Sequence, residues 1–435
     1  MSKSPTDTDT LPGPSDPVDL SIDAATLELL SQAQMQYGNL VRFGRSSAAD
    51  SIFVNDPDIV QQVLIKEHRR YDKGRDFERV KMLLGNGIIV SDGEVWRRHR
   101  RMMQPAFTRR SIDQLLGSVT KAIAGLNALW QAAADANDTI DLTADTNRFA
   151  LEAILRAIFG DDYDHHFANA EDNPFAFLSQ EFARDLRVVT RLRGVRKEVQ
   201  EIINARKATE DKSEDFLSSL IHARDKNGEG LTDKEVIDEV MTLVVAGFET
   251  TAGTLNWAWF EISRHAGIEA AVLSELTASD KLDATVLSEL ALTRAVLDET
   301  LRLYPPVWLY SREANEDDVY QGVPIRKGTH IYISPYLLQR SACFWNKPGD
   351  FDPGRFLNDN ESIVKGSYIP FSLGPRRCIG EYFSFMEMQL ALKYLLPRFE
   401  LRPVVNAIPE LDLGINLRSK DPIVMTIKHR RDANV

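Results

Sequence analysis

The chain has little of what several classes of protein depend on. It holds only two cysteines, Cys343 and Cys378, in 435 residues. No disulfide framework can be built from them, and each thiol needs its own explanation. No run approaches the roughly 18 to 20 uninterrupted apolar residues of a membrane span. The opening MSKSPTDTDTLPGPSDP lacks the apolar centre of a signal peptide. No membrane span and a cytoplasmic, reducing setting are therefore expected. Positive charge is also short, with 52 Lys and Arg against 64 Asp and Glu and a formal net charge of −12. General nucleic-acid binding needs the opposite balance, because its affinity comes from cations that displace counterions from phosphate.

What the chain does have is a hydrophobic content of 43%, enough for a large core. Residues 1 to about 17 are Thr, Asp, Pro and Ser with almost nothing apolar to offset ordering entropy, so they read as a disordered tail. Residues 18–435 read as one domain, with no linker and no internal repeat. Helical periodicity runs over 110–130, over DTNRFALEAILRAIF at 145–159, and over LTDKEVIDEVMTLVVAGFETTAGTLNWAWFEISRH. The last opens with Thr232 and has Glu235 three residues on, the capping-box pattern, and is unusually long for a globular helix. Strand signals are short: NLVRFG, SIFVN, DVYQGVPIRKGTHIYIS and GINLRSKDPIVMTIKH, where SKDP reads as a hairpin turn. Strands do not alternate regularly with helices. The fold class is therefore mainly α with small β sheets (α+β), not doubly wound.

One stretch sets the two cysteines apart. Cys343, in QRSACFWNKP, reads as a small packing residue. Cys378 lies in FSLGPRRCIG, with Gly374 and Gly380 allowing close backbone approach and Arg376 and Arg377 placing positive charge beside the thiol. The run CIGEYFSFMEMQLALKYLL follows with helical periodicity, so the thiol precedes a helix N-terminus, whose dipole and free N–H groups favour the thiolate. Such a thiolate is a nucleophile or a metal ligand. No His-Asn or His-Asp set is evident to act as its base, and one cysteine cannot build a zinc or iron–sulfur site. A haem iron needs only one axial protein ligand.

The stretch resembles the signature of the cytochrome P-450 superfamily, the haem-thiolate monooxygenases. Its pattern Phe-x-x-Gly-x-Arg-x-Cys-x-Gly is met at Phe371, Gly374, Arg376, Cys378 and Gly380. The resemblance implies the fold of that family, with haem b seated between the long central helix and the Cys-loop helix and Cys378 on the iron. Three further motifs follow in family order. AGFETT, Ala246–Thr251, puts an acid and two alcohols into an apolar helix centre, where unpaired polar groups are costly. It resembles the motif whose acid–alcohol pair delivers protons during O2 activation, which assigns Glu249 and Thr250 as catalytic. The bland reading is a threonine bonded back to its i−4 carbonyl. ETLRLYPP places Glu299 and Arg302 on one helix face and resembles the Glu-x-x-Arg motif; FDPGRF supplies Arg355 to complete the implied buried triad, although Gly354 stands where many members carry Glu. GEVWRRHRRMMQPAF puts Trp96 and Arg100 four apart, suited to a haem propionate, a role the resemblance also gives to Arg376, Arg312 and, more weakly, Lys73.

The resemblance implies an oxidoreductase that uses O2 and two externally supplied electrons to hydroxylate or epoxidise a hydrophobic small molecule. Electrons would come from a separate ferredoxin or flavodoxin with an NAD(P)H-dependent reductase, docking on Arg97, Arg98, Arg101, Arg109, Arg110 and Arg377. Pocket positions carried over are Ile88, Ile89, Leu243, Ala246, Gly247, Val307, Trp308, Leu309 and Leu417. Small Ala246 and Gly247 would leave room over the iron, and 167–206 would form a lid. Apolar lining favours a fatty acid, terpenoid, steroid or polyketide, and the stretches LLGNGIIVSDGEVWRRHRRMMQPAF and LYPPVWLYSREA, similar to the eukaryotic-type and fatty-acid-hydroxylase branches, tilt this toward a long chain. The alternatives on the same fold are an H2O2-using peroxygenase, a hydroperoxide isomerase or dehydratase, and a non-catalytic haem sensor. An acid–alcohol pair argues against the first and last.

Overall fold

The computed structural model describes residues 11–14, 20, 23–46, 49–74, 76–168, 174–175, 187–209, 213–279, 281, 285–320, 322–357 and 363–430. The longer helices, in chain order, are α1 Ala24–Tyr37, α2 Asp76–Leu84, α3 Gly93–Met103, α4 Leu116–Ala136, α5 Leu142–Phe159, α6 Arg187–Thr209, α7 Asp233–Arg264, α8 Ala266–Thr277, α9 Ala291–Leu303 and α10 Glu381–Leu395. The strands are β1 Leu40–Ser46, β2 Ala49–Val54, β3 Tyr71–Lys73, β4 Thr139–Asp141, β5 Tyr310–Ala314, β6 Asp318–Tyr320, β7 Val323–Ile325, β8 His330–Ile333, β9 Phe399–Pro403, β10 Leu411–Leu413, β11 Leu417–Ser419 and β12 Val424–His429. The protein is mostly helical with small sheets, as its sequence predicts.

The chain gathers into two compact units. The first takes residues up to Arg79 with Asp298–Cys378 and Leu411–Arg418. Its five-stranded sheet has the order β1-β2-β8-β5-β3. Strand β8 is central and runs parallel to β2, so HIYI is apolar or buried at every position instead of alternating. Ile52, Val54, Ile331 and Ile333 of that pair pack with Val60, Leu64, Tyr71 and Ile369 into one core. Order reaches further towards the N-terminus than composition predicts. Leu11 packs on this core, the Arg42 N–H donates to the Pro12 carbonyl at 3.0 Å, and a Cβ on Gly13 would fall 1.8 Å from the Arg42 carbonyl oxygen. One apolar residue and a glycine that permits close approach are enough to lay this segment on a strand.

The second unit takes Val80–Leu297, Ile379–Glu410 and the residues from Ser419 on. Its axis is α7, 32 residues long, or about 48 Å at the helical rise. The N-terminus carries the predicted capping box: Thr232 Oγ1 accepts from the Glu235 N–H, and the Thr232 N–H donates to Glu235 Oε2 at 2.8 Å. Helix α7 packs chiefly on α5, and also on α6, α8, α10 and β9. Among the described residues no helix is long and apolar enough to cross a membrane. The SKDP expectation is corrected. Strand β11 pairs with β10, whereas β12 lies between β4 and β9, so the strands flanking that turn belong to different sheets. Alternation shows that a segment is a strand, but its partner is chosen by the surface it covers.

Candidate functional site

The loop Phe371–Gly380, of which the residues up to Cys378 belong to the first unit, leads into α10, with Gly380 at the N-cap. Cys378 therefore sits two residues ahead of the cap, where unsatisfied N–H groups and the helix dipole favour an anion. The loop is closed by the Cys378 N–H donating to the Phe371 carbonyl at 2.9 Å and the Arg377 N–H to the Gly374 carbonyl at 3.0 Å. Gly374 has φ +70°, and a Cβ there would lie 2.1 Å from the Leu64 carbonyl oxygen, so only glycine fits. Ser372 also takes a positive φ, 61°, which marks a constrained turn. The Cys378 side chain is exposed, not sunk in apolar packing that would favour the neutral thiol. Cys343 is exposed as well, which corrects the expectation that it packs as a small hydrophobe.

Beside this loop the first unit collects cations. Lys73 and Arg312 are direct partners across the antiparallel β3–β5 pair, so both side chains leave the sheet on one face. Arg312 is buried, with its guanidinium donating to the Ser311 carbonyl at 2.8 Å and 5.1 Å from the Tyr310 ring. Arg376 reaches Asp72 at 3.5 Å. Like charges placed opposite one another repel unless an anion lies between them. Together with an exposed cysteine ahead of a helix cap, this donor set fits an anionic, thiolate-ligated group such as haem.

The triad lies in the same unit. Arg302 and Glu299 are both fully buried and joined by parallel bonds of 2.7 and 2.8 Å, and Arg355 Nε reaches Glu299 at 3.3 Å. Arg302 also donates to the carbonyls of Gln339, Pro348 and Asp350, and Arg355 to those of Asn346 and Lys347. The triad thus ties α9 to the irregular segment 339–355. Gly354 follows Asp352, whose carboxylate accepts the Gly354 N–H at 3.0 Å. Of the expected pocket residues here, Val307 is partly exposed and Leu309 and Leu417 are buried. Trp308 is wholly buried, with its indole N–H donating to the Gly414 carbonyl at 3.0 Å, so it fastens the β10–β11 turn to the segment after YPP.

In the second unit, Trp96 and Arg100 sit one turn apart on α3, the former buried and the latter partly so. Between them lies His99, which the sequence reading passed over. Its Nδ1 is 2.6 Å from Glu239 Oε1 and its Nε2 is 3.1 Å from Glu235 Oε1, both carboxylates on α7. Glu239 Oε2 accepts the backbone N–H of Ile88 at 2.9 Å, and the neighbouring Asp238 accepts that of Asn86 at 2.9 Å. Asp238 also takes Arg196 of α6 at 2.7 Å, whose other nitrogen donates to the Leu84 carbonyl at 2.7 Å. Two successive carboxylates of α7 thereby hold the segment leading to Ile88 and Ile89, and a Cβ on Gly85 would fall 2.0 Å from Asp238.

Further along α7, Val245, Ala246, Gly247, Glu249 and Thr250 are half-buried in a stretch, 236–262, that is otherwise buried except at Gly253, and Leu243 is buried. Thr250 Oγ1 donates to the Ala246 carbonyl at 2.7 Å, the back-bonded state of a helical threonine, which leaves the oxygen's lone pairs as acceptors. The room expected at Gly247 is taken up by α5, because a Cβ there would meet Ile154 at 2.9 Å. Its missing side chain serves helix packing.

Among the expected docking arginines, Arg98 points elsewhere: it is held by Asp225 at 2.9 Å, Glu235 at 3.1 Å and the Gly230 carbonyl at 2.6 Å. Arg97 pairs with Glu94, and Arg109 donates to the Tyr382 hydroxyl. Of the expected lid, 169–173 and 176–186 lie outside the described residues, and its far end, Arg206, is buried on Asp162, Asp215 and the Phe159 carbonyl. A cavity of about 850 Å³ opens beside that ion pair, lined by Arg206, Asp215, Phe216, His222 and Leu231 among others, and contains none of the expected site residues.

Residues 20–425 match the sequence profile of the family described as Cytochrome P450. The chain is 33% identical over 371 residues to cyclooctatin synthase of Streptomyces melanosporofaciens, covering 80% of each chain. It is 31% identical over 401 residues to pentalenene oxygenase of Streptomyces avermitilis, covering 85% of this chain and 88% of that one. The crystal structure of the cytochrome P450DA heme domain superposes with a TM-score of 0.83 at 24% identity, over 97% of this chain and 98% of the other.

Proposed function

The chain belongs to the cytochrome P450 family and is a haem-thiolate monooxygenase, and on that premise we propose that it oxidises a terpenoid hydrocarbon or alcohol, with Cys378 as the residue that would hold the iron of haem b. The observation that carries the ligand assignment is the exposed thiol at the end of a loop that only glycine can close, two residues before the cap of α10. When bound, the haem activates O2 for insertion of one oxygen atom into substrate. The remaining roles belong to the protein. Helix α10 and Arg376 favour the thiolate. Trp96, Arg100, Arg312 and Lys73 would hold the propionates, while Glu249 would take up and release protons and Thr250 Oγ1, its own proton resting on the Ala246 carbonyl, would position the proton donor by accepting its hydrogen bond. Two relatives whose names mark terpenoid-related chemistry support the substrate class over the long-chain reading. A ferredoxin or flavodoxin with an NAD(P)H-dependent reductase supplies electrons, docking on Arg97, Arg101, Arg109, Arg110 and Arg377.

Two measurements test this. Cys378→Ser is expected to abolish the red-shifted Soret band of the ferrous carbon monoxide adduct, and retention of that band refutes the ligand. Titration with cyclic terpenes, terpene alcohols and long-chain fatty acids should move the Soret band from low to high spin with the terpenoids. A response confined to fatty acids overturns the substrate class and leaves the ligand standing.

A further inference from the structure

His99 is the one buried histidine on α3, and its geometry is more specific than packing requires. A neutral imidazole has one N–H and one acceptor nitrogen, so it can satisfy only one carboxylate. Here both nitrogens face carboxylate oxygens, at 2.6 and 3.1 Å. With both carboxylates ionised, a proton on each nitrogen is the arrangement in which neither contact is repulsive. Glu239 is fully buried, and its other oxygen is already committed to the Ile88 N–H, so His99 is the cation that makes its charge tolerable. Glu235 is shared more widely, with Arg98, the Thr232 N–H and the Thr232 hydroxyl.

We propose that His99 is a positioning residue, an imidazolium clamped between Glu235 and Glu239 that fixes α3, and with it Trp96 and Arg100, to α7 and fixes the backbone of Ile88 through the second oxygen of Glu239. One clamp thus sets both the helix assigned to the propionates and the segment assigned to the substrate pocket, and the first half of this rests on the role given to Trp96 and Arg100 above. The charged groups around it are known from each side. Helix α7 contributes Glu235 and Glu239, with Asp238 next to them and already paired with Arg196 of α6. Helix α3 contributes Arg98, which is committed to Asp225, Glu235 and the Gly230 carbonyl. Burial disfavours the charge on His99, but hydrogen bonds and charge from Glu239 and Glu235 outweigh it and raise the group above the ordinary histidine value. With the folded value raised, the clamp is complete below the unfolded pKa and is lost as pH rises through the folded one.

The test uses the holoenzyme and two readouts: hydrogen exchange in the peptide spanning 84–90, corrected for intrinsic base catalysis, and the rate of haem transfer to an apo-globin acceptor. In the wild-type protein both rates should climb together as pH rises through the His99 titration, by roughly ten- to hundred-fold, the scale of one charge-assisted hydrogen bond. His99→Gln should show the high-pH rates throughout and no titration. Faster exchange at 84–90 with unchanged haem transfer keeps the clamp and overturns the propionate role of Trp96 and Arg100. Wild-type rates flat with pH overturn the clamp without any substitution, and so does a His99→Gln protein that still titrates.

Discussion

Glu299 and Glu387 are both fully buried, one in each compact unit, and their surroundings favour opposite electrical states. Glu299 is ringed by donors: its oxygens accept from Arg302 twice, from Arg355, and from the Asp352 N–H at 2.8 Å, which suits a carboxylate. Glu387, on α10, has no hydrogen-bond partner for either oxygen among the described residues. Burial pushes its carboxyl well above the usual carboxylate range, which favours the neutral acid. Glu239 stands between them, with one amide and one imidazole. The contrast shows that burial by itself does not decide charge. A cation within hydrogen-bond reach offsets the desolvation cost, and without one the proton stays.

The sharpest way to break this comparison is to neutralise the anion. Glu299→Gln leaves Arg302 buried without its counter-ion and is expected to cost about 3–5 kcal/mol, read as a lower urea midpoint or failure to accumulate folded protein. A loss under 1 kcal/mol, about the median of an exposed pair, would mean that the triad is not electrostatically coupled. Arg355→Met removes the longer bond to Glu299 and those to the Asn346 and Lys347 carbonyls, which lie near solvent, but leaves the Arg302 pair intact, so a smaller loss of about 1–2 kcal/mol is expected. Glu387→Met should go the other way, with a gain of about 1 kcal/mol at neutral pH from removing an unpartnered polar group. The sign of its pH dependence follows from the raised carboxyl. The wild-type contribution is present below the unfolded carboxylate range and is lost as pH rises through the folded value, so the advantage of Met grows with pH. A Met variant less stable than wild type at high pH would show Glu387 to be a paired anion. The subtlest check is infrared: the wild-type spectrum minus that of Glu387→Gln should hold a protonated-carboxyl carbonyl band at neutral pH.

These clusters also differ in how legible they are in sequence. The Glu299–Arg302 pair announces itself, because a three-residue spacing on a helix brings side chains together whatever surrounds them. The capping box at Thr232 and the glycine-flanked Cys378 loop are visible for the same reason, since each is a local geometry. Glu387 looks like any polar residue in an amphipathic run, and His99 in WRRHRR looks like part of a solvated basic face. Their states depend on residues 140 positions away for His99 and Glu239, or on the lack of any partner. Gly247 misled in a similar way, since a small residue opens space only if a neighbour such as Ile154 does not fill it.

By itself, the amino-acid order determined the helical class, the long capped helix, the glycine-flanked cysteine loop and the family, because each rests on short-range spacing or on residue types whose backbone preferences travel with them. Tertiary structure alone decided which strands pair beside SKDP, which arginines are bound inward, and which buried acids keep their protons. Those outcomes turn on distances between residues far apart in the chain and on the water excluded around them, and no local pattern encodes either.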